Sequence, residues 1–150
     1  MQLETFFAGM PIYVINLKDS IERRNHVQNQ FGSDVNLTFV PAVDGRCSSN
    51  FYSDYLVSFP NNRNNFSTSL IAVICSHIRA IYTAYHKGDQ YAIILEDDVW
   101  TDLISSCSFT MSDICSLPGN WELIQLFYSS NNIIRSNYEH FQKNGLQLLP

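Results

Sequence analysis

The stretch from Tyr91 to Val99 reads YAIILEDDV, an unbroken apolar run that opens directly onto Glu96, Asp97 and Asp98. An apolar run of this length without polar alternation is how a strand buried on both faces of a parallel sheet reads. The carboxylates then stand at its carboxyl end. If the strand is central, that end faces the crevice in which open parallel sheets hold their ligands. Adjacent carboxylates repel one another, and partial desolvation raises the cost of keeping all of them ionised, so the pattern calls for a cation. Mg²⁺ and Mn²⁺ take oxygen ligands, commonly one or two carboxylates, with water and substrate phosphates filling the rest of the shell. A nucleoside diphosphate would complete such a shell. The competing reading is a solvated acidic turn that caps the next helix, and the triplet alone leaves both open.

Upstream, Ile12 to Leu17 (IYVINL) is a second β-rich, nearly continuous apolar run and predicts the first strand. Asp19 followed by Glu22 resembles a capping box, after which Ile21, Val27 and Phe31 fall on one helix face that ends at Gly32. Leu37 to Val43 predicts another strand, closed by the turn pair Asp44-Gly45. From Cys47 to Ser69 the chain is polar and Asn-rich with no sustained period, which predicts a long excursion loop. Ser67 to Ser69 can cap a helix whose apolar stripe is Leu70, Ile74, Ile78, Ile81 and Tyr85, with Gly88 as the stop. Beyond the acidic triplet, Thr101 to Leu117 has a mixed pattern that predicts a helix, Pro118-Gly119 a turn, and Glu122 to Phe127 (ELIQLF) a last strand. Strands alternating with helices imply an α/β sandwich with a largely parallel sheet, in a single domain spanning residues 1–150.

Composition narrows the partners. The net charge of -5, from 14 acidic against 9 basic residues, opposes binding to a phosphate backbone or an anionic membrane, so no nucleic-acid partner is expected. The longest apolar candidate, Leu70 to Tyr82, is interrupted by Ser76, His77 and Arg79, and no transmembrane segment is expected. The amino terminus carries Glu4 and no basic residue before Lys18, unlike a secretory signal, so the expected location is the cytoplasm. Cys47, Cys75, Cys107 and Cys115 form no Cys-x-x-Cys pair and no zinc-finger spacing with His, and are expected to be plain thiols.

Several polar residues stand out against this background. Asn16, inside the first apolar strand, either receives a base or ribose or stabilises the following turn. Arg24 borders the apolar face of the first long helix, where its guanidinium either reaches a phosphate past the strand end or joins a surface ion pair. His77 lies close to the stripe of the second long helix and faces either the core or the crevice. Asp44, with Gly45, reads by itself as a turn residue. Phe51, Tyr52 and Tyr55 in the Asn-rich loop could cover a bound nucleotide or pack locally.

In chain order, Val14 to Leu17 (VINL), Glu22-Arg23-Arg24, Ala42-Val43-Asp44-Gly45, Cys75-Ser76-His77, Leu95 to Val99 (LEDDV) and Trp121 to Ile124 (WELI) together resemble the signature of the family 25 glycosyltransferases, the lipooligosaccharide and collagen galactosyltransferase relatives. The resemblance implies a GT-A type fold and transfer of a sugar, galactose most commonly, from a UDP-sugar to a hydroxyl acceptor on a glycan or protein. It also implies a divalent cation, Mn²⁺ or Mg²⁺, at the acidic motif. By analogy Asp98, with Asp97, would ligate the metal, and Glu96 or Asp97 would contact the ribose or orient the diphosphate. Asn16, Leu17, Arg24 and Asp44 would line the nucleotide pocket, and His77 would face the donor. Family members continue beyond the ELIQLF segment into a region expected to shape the acceptor site and to supply the base of an inverting transfer. No residue here recommends itself as that base. The expectation is therefore a donor-binding half that lacks the carboxyl-terminal acceptor region, with a noncatalytic nucleotide-sugar-binding or interaction module as the alternative.

Overall fold

The computed structural model describes residues 3–33, 35–46, 67–119 and 121–124. The described residues between Met10 and Val99 form one compact unit, and those on either side of it in sequence form a second.

The first unit is α/β. Strand β1 (Ile12–Asn16) pairs in parallel with β2 (Leu37–Pro41) on one side and with β3 (Ile93–Glu96) on the other, giving the order β2-β1-β3. Every residue of β1 is buried, as a strand with neighbours on both edges and layers on both faces requires. The YAIIL run is therefore not the central strand among the described residues. Only Ile93 of β3 is buried, Ile94 and Leu95 are half-buried and Glu96 is exposed, because β1 already occupies the middle of the sheet.

Register and alternation assign the two faces. Tyr13, Ile15 and Val40 cluster with Ala80 and Ala84 of helix α3 (Thr68–Lys87), with Ile94 packed against them. The residues between them, Ile12, Val14 and Asn16, point the other way. On that side lies α2 (Ile21–Phe31), whose Val27 and Phe31 are buried and whose Arg24 guanidinium sits 4.3 Å from the ring centroid of Phe39, the register partner of Val14.

Helix α3 begins and ends where its sequence says. The Ser67 side chain accepts from the Leu70 amide at 3.2 Å, and Gly88 at φ 79° closes the last turn in the left-handed conformation that favours glycine. Its buried face is not the expected one. Ile71, Ala72, Cys75, Ser76, Ala80 and Ala84 face inward, while Ile81 is 50% and Tyr85 76% exposed. Small side chains let the helix axis come close to the sheet, and at this distance a row of Leu, Ile and Tyr would not fit. At Gly45, in the turn after β2, an added Cβ would lie 3.2 Å from the Ala72 Cβ and 3.3 Å from the Thr68 carbonyl. Ser76 satisfies the backbone there by accepting from the Val43 amide at 2.8 Å while donating to the Ala72 carbonyl at 2.7 Å.

Three local expectations are corrected. Helix α2 has Ser20 at its N-cap with no side-chain cap bond, in place of an Asp19–Glu22 capping box, and Ile21 is 62% exposed. The reason lies in the register, for the buried stripe runs through Val27 and Phe31 one turn apart and passes back through position 23, not 21. Thr101 to Leu117 is not one helix but a 3-10 segment, Asp102–Ser106, followed by α4 (Met111–Cys115). The break falls at Thr110, which forms a full capping box with Asp113, and the Thr110 bonds hold that carboxyl below the usual carboxylate range. Of the expected ELIQLF strand, residues 122–124 are not in a strand and residues 125–127 lie outside the described residues, as do Cys47 and residues 47–66 of the loop expected from Cys47 to Ser69, with Phe51, Tyr52 and Tyr55; the last residues of that loop, Thr68 and Ser69, belong to α3.

In the second unit, α1 (Leu3–Phe7) buries Phe6 and Phe7, which meet edge to face at 5.0 Å, and packs with α4 through its own small core of Met111 and Ile114. Cys75, Cys107 and Cys115 are free thiols, each pushed up from the ordinary thiol range by burial. No described helix is long and apolar enough to cross a membrane.

Candidate functional site

The same two-residue alternation that sorts the core also sorts the acidic triplet. Glu96 shares a register position with Ile15 and so points to the α3 side; the next residue, Asp97, points to the α2 side. Each carboxylate meets a partner from its own layer. Glu96 Oε1 lies 3.1 Å from His77 Nε2 of α3, an ion pair when the imidazole is protonated and a hydrogen bond otherwise. Asp97 accepts from Arg23 Nη1 of α2 at 2.6 Å on one oxygen and from Asn16 Nδ2 of β1 at 2.7 Å on the other. Splitting the carboxylates between two faces relieves the repulsion that the bare sequence implied.

Asp97 is the buried member, with a side chain only 8% exposed against 53% for Arg23. A carboxylate that far out of water needs its charge matched and its lone pairs filled, and Arg23 with Asn16 does both. Asn16 is itself buried and donates a second time, to the Ser20 carbonyl at 3.1 Å, so it pins the turn from Leu17 to Ser20 that Ser20 N–H closes onto the Leu17 carbonyl. Of the two roles open to Asn16, the described contacts are those of a turn-stabilising residue. The acidic turn is closed by the Val99 amide donating to the Glu96 carbonyl at 3.3 Å, and Gln30 of α2 donates to the Val99 carbonyl at 2.9 Å.

Asp98, the third carboxylate, is exposed and has no hydrogen bond or ion pair among the described residues. No group of three His, Cys, Asp or Glu side chains converges on one point among those residues either. The turn thus brings Asn16, His77, Glu96, Asp97 and Asp98 to the carboxyl ends of β1 and β3. It does not bring Arg24 or Asp44 into that hydrogen-bonded set. Arg24 stacks on Phe39, and Asp44 is held by Arg46 through its backbone amide at 2.9 Å and its guanidinium at 2.6 Å, with Asp19 3.4 Å beyond.

Arg23 and Gln30 were not singled out by the sequence reading, which favoured Arg24. The available signal was the spacing. Arg23 lies one turn before Val27 and two turns before Phe31, and Gln30 lies two turns after Arg23, so the buried stripe of α2 runs past both.

A parallel α/β sheet with a polar, acid-bearing turn at its strand ends is the layout of an enzyme domain that binds its ligand beyond the carboxyl edge. The family model described as Glycosyltransferase family 25 (LPS biosynthesis protein) matches residues 10–147, and the chain belongs to that family. The protein is accordingly a glycosyltransferase of the LPS-biosynthesis type, with an α/β fold of GT-A character. Neither a curated protein nor a solved structure matches it.

Proposed function

We propose that this glycosyltransferase takes its sugar, with galactose the expected one, from a UDP-sugar and passes it to a hydroxyl of a glycan or protein acceptor, using Mn²⁺ or Mg²⁺ held at Asp98. The observation that carries the reading is the contrast within the acidic turn. Asp97 has both oxygens engaged, whereas Asp98 beside it is exposed and unengaged among the described residues at the carboxyl edge of the sheet.

The donor chemistry suits a hard divalent ion of the kind that relies on its substrate. Such ions use one or two carboxylates and complete their shell with water and phosphate oxygens. Asp98 would supply the first carboxylate, and Glu96, two residues before it, would supply or orient a second. Asp97, which the motif also offers as a ligand, already accepts from Arg23 and Asn16, so a cation there would share its oxygens with those donors. The cation, when bound, offsets the negative charge that develops on the leaving diphosphate. The chain's own residues do the placing. His77 steadies Glu96 on the α3 side of the turn, and Asn16 fixes the neighbouring turn through the Ser20 carbonyl.

Calorimetric titration with UDP and UDP-galactose, with and without Mn²⁺, tests the assignment. Mn²⁺ is expected to tighten UDP binding by about tenfold or more, the equivalent of one good charge-assisted contact, and Asp98→Ala is expected to abolish that gain. A gain that survives in Asp98→Ala would remove Asp98 from the site.

A further inference from the structure

The acidic turn is tied to one helix at two points. Arg23 and Gln30 lie two turns apart on α2, about 10 Å along its axis. Arg23 holds Asp97 near the start of the Glu96–Val99 turn and Gln30 holds the Val99 carbonyl at its end. Between these anchors stands Asp98, the one carboxylate of the triplet that no described residue engages. Asn16 adds a third tie, because its single amide nitrogen bonds both Asp97 and the Ser20 carbonyl at the start of α2. A turn fixed at both ends has little freedom in its middle, so the direction of Asp98 is set by contacts it does not itself make.

We infer that Arg23 is a positioning residue. Acting through Asp97, and together with Gln30, it clamps the acidic turn so that Asp98 is presented outward in the orientation that a divalent cation bridging to a donor diphosphate would need. The inference rests on the functional reading above for what Asp98 binds, but the clamp itself is a statement about the turn alone. Asp97 then has a supporting place in the site rather than a ligating one. Its carboxylate fixes the guanidinium, and the guanidinium fixes the turn. Arg24, the adjacent arginine, has no part in this, because its guanidinium lies on Phe39.

Amide hydrogen exchange and calorimetry on the full chain test this together. In Arg23→Ala the Val99 amide, bonded to the Glu96 carbonyl, should lose protection while the amides of β1 keep theirs. The affinity for Mn²⁺ in the presence of UDP should fall by about 10- to 100-fold, the usual cost of removing an outer partner of a metal ligand, and most of the Mn²⁺-linked gain in UDP affinity should go with it. Arg23→Lys retains the charge without the planar fork and should show a smaller loss of both. Asn25→Ala, on the exposed side of α2, should leave both readouts as they are. Should Arg23→Ala fail to fold, Arg23→Lys and Gln30→Ala carry the test, since each loosens one anchor without leaving Asp97 bare. Unchanged Val99 protection in the folded variants overturns the clamp. Loss of Val99 protection with an unchanged Mn²⁺-linked gain overturns the positioning role. If the unaltered chain shows no Mn²⁺-linked binding while Arg23→Ala still loses Val99 protection, the functional reading falls and the clamp stands.

Discussion

Asn16→Leu is expected to destabilise the fold by about 3 kcal/mol, a cost that a hydrophobic residue of similar size would not ordinarily impose in a buried strand. Asn16 sits in β1 among fully buried neighbours, and by shape leucine fits the position. By chemistry it does not. The substitution strips one donor from the Asp97 carboxylate, which is nearly out of reach of water, and the same donor from the Ser20 carbonyl. Asp97 would be left with Arg23 alone, and a buried charge that has lost part of its solvation costs more than a neutral group in the same state. For a chain of this size the melting temperature should drop by roughly 10 °C. Asn16→Asp should be at least as damaging, because it sets a second carboxylate against Asp97. A thermal melt decides the matter. If Asn16→Leu melts within a degree or two of the unaltered chain, Asp97 is not held as described.

Ala80→Phe is the second large effect. Ala80 has no exposed surface and packs against Tyr13, Ile15, Val40 and Ala84, so a ring there must push α3 away from the sheet. The cost should lie near 3 kcal/mol, the upper end of what overpacking usually causes. The paired control is Ile81→Ser, one residue along on the exposed side, which should change stability by less than about 0.5 kcal/mol. Urea denaturation of the two variants reads both numbers. The contrast inverts what the apolar stripe of α3 suggests, so a costly Ile81→Ser beside a harmless Ala80→Phe would mean that the helix is turned the other way.

These substitutions also mark where the sequence was legible. Strands β1 and β2 and the limits of α3 could be read directly, because an apolar run, a Ser cap and a terminal glycine act locally and their signals lie in adjacent residues. The orientation of α3 could not. Its larger apolar residues form a true stripe at helical spacing, but the face that packs is set by how near the sheet lies, and small residues win there for steric reasons that hydrophobicity does not record. The rank of β3 was not legible either, for a related cause. An apolar run reports that a strand is covered, not which neighbours it has, and β1 holds the middle position among the described strands.

The acidic turn shows the same division. Its location at a strand end followed from the sequence, as did that of Asn16 at the end of the first strand, whereas the helical spacing left His77 open between the core and the crevice. Its treatment as one cluster did not survive, since period-two alternation sends Glu96 and Asp97 to opposite layers. Arg23 rather than Arg24 reaches the turn, and that one-residue difference is on a helix a rotation of about 100° and so a different neighbour. Tyr13 illustrates a partner that no local pattern announces. Its hydroxyl donates to Asp89 near the amino end of β3, and burial with that carboxylate pushes the phenol up to about 12, so it remains a donor at any physiological pH.

The most direct test of the account uses Mn²⁺ as a paramagnetic probe in the presence of UDP, with the amide resonances of the chain as the readout. Broadening should be strongest at Asp98, extend to Glu96, His77 and Asn16, and weaken along β3 toward Asp89. Broadening centred elsewhere, or none at UDP concentrations that saturate binding, would contradict the placement of the cation and, with it, the proposed donor site.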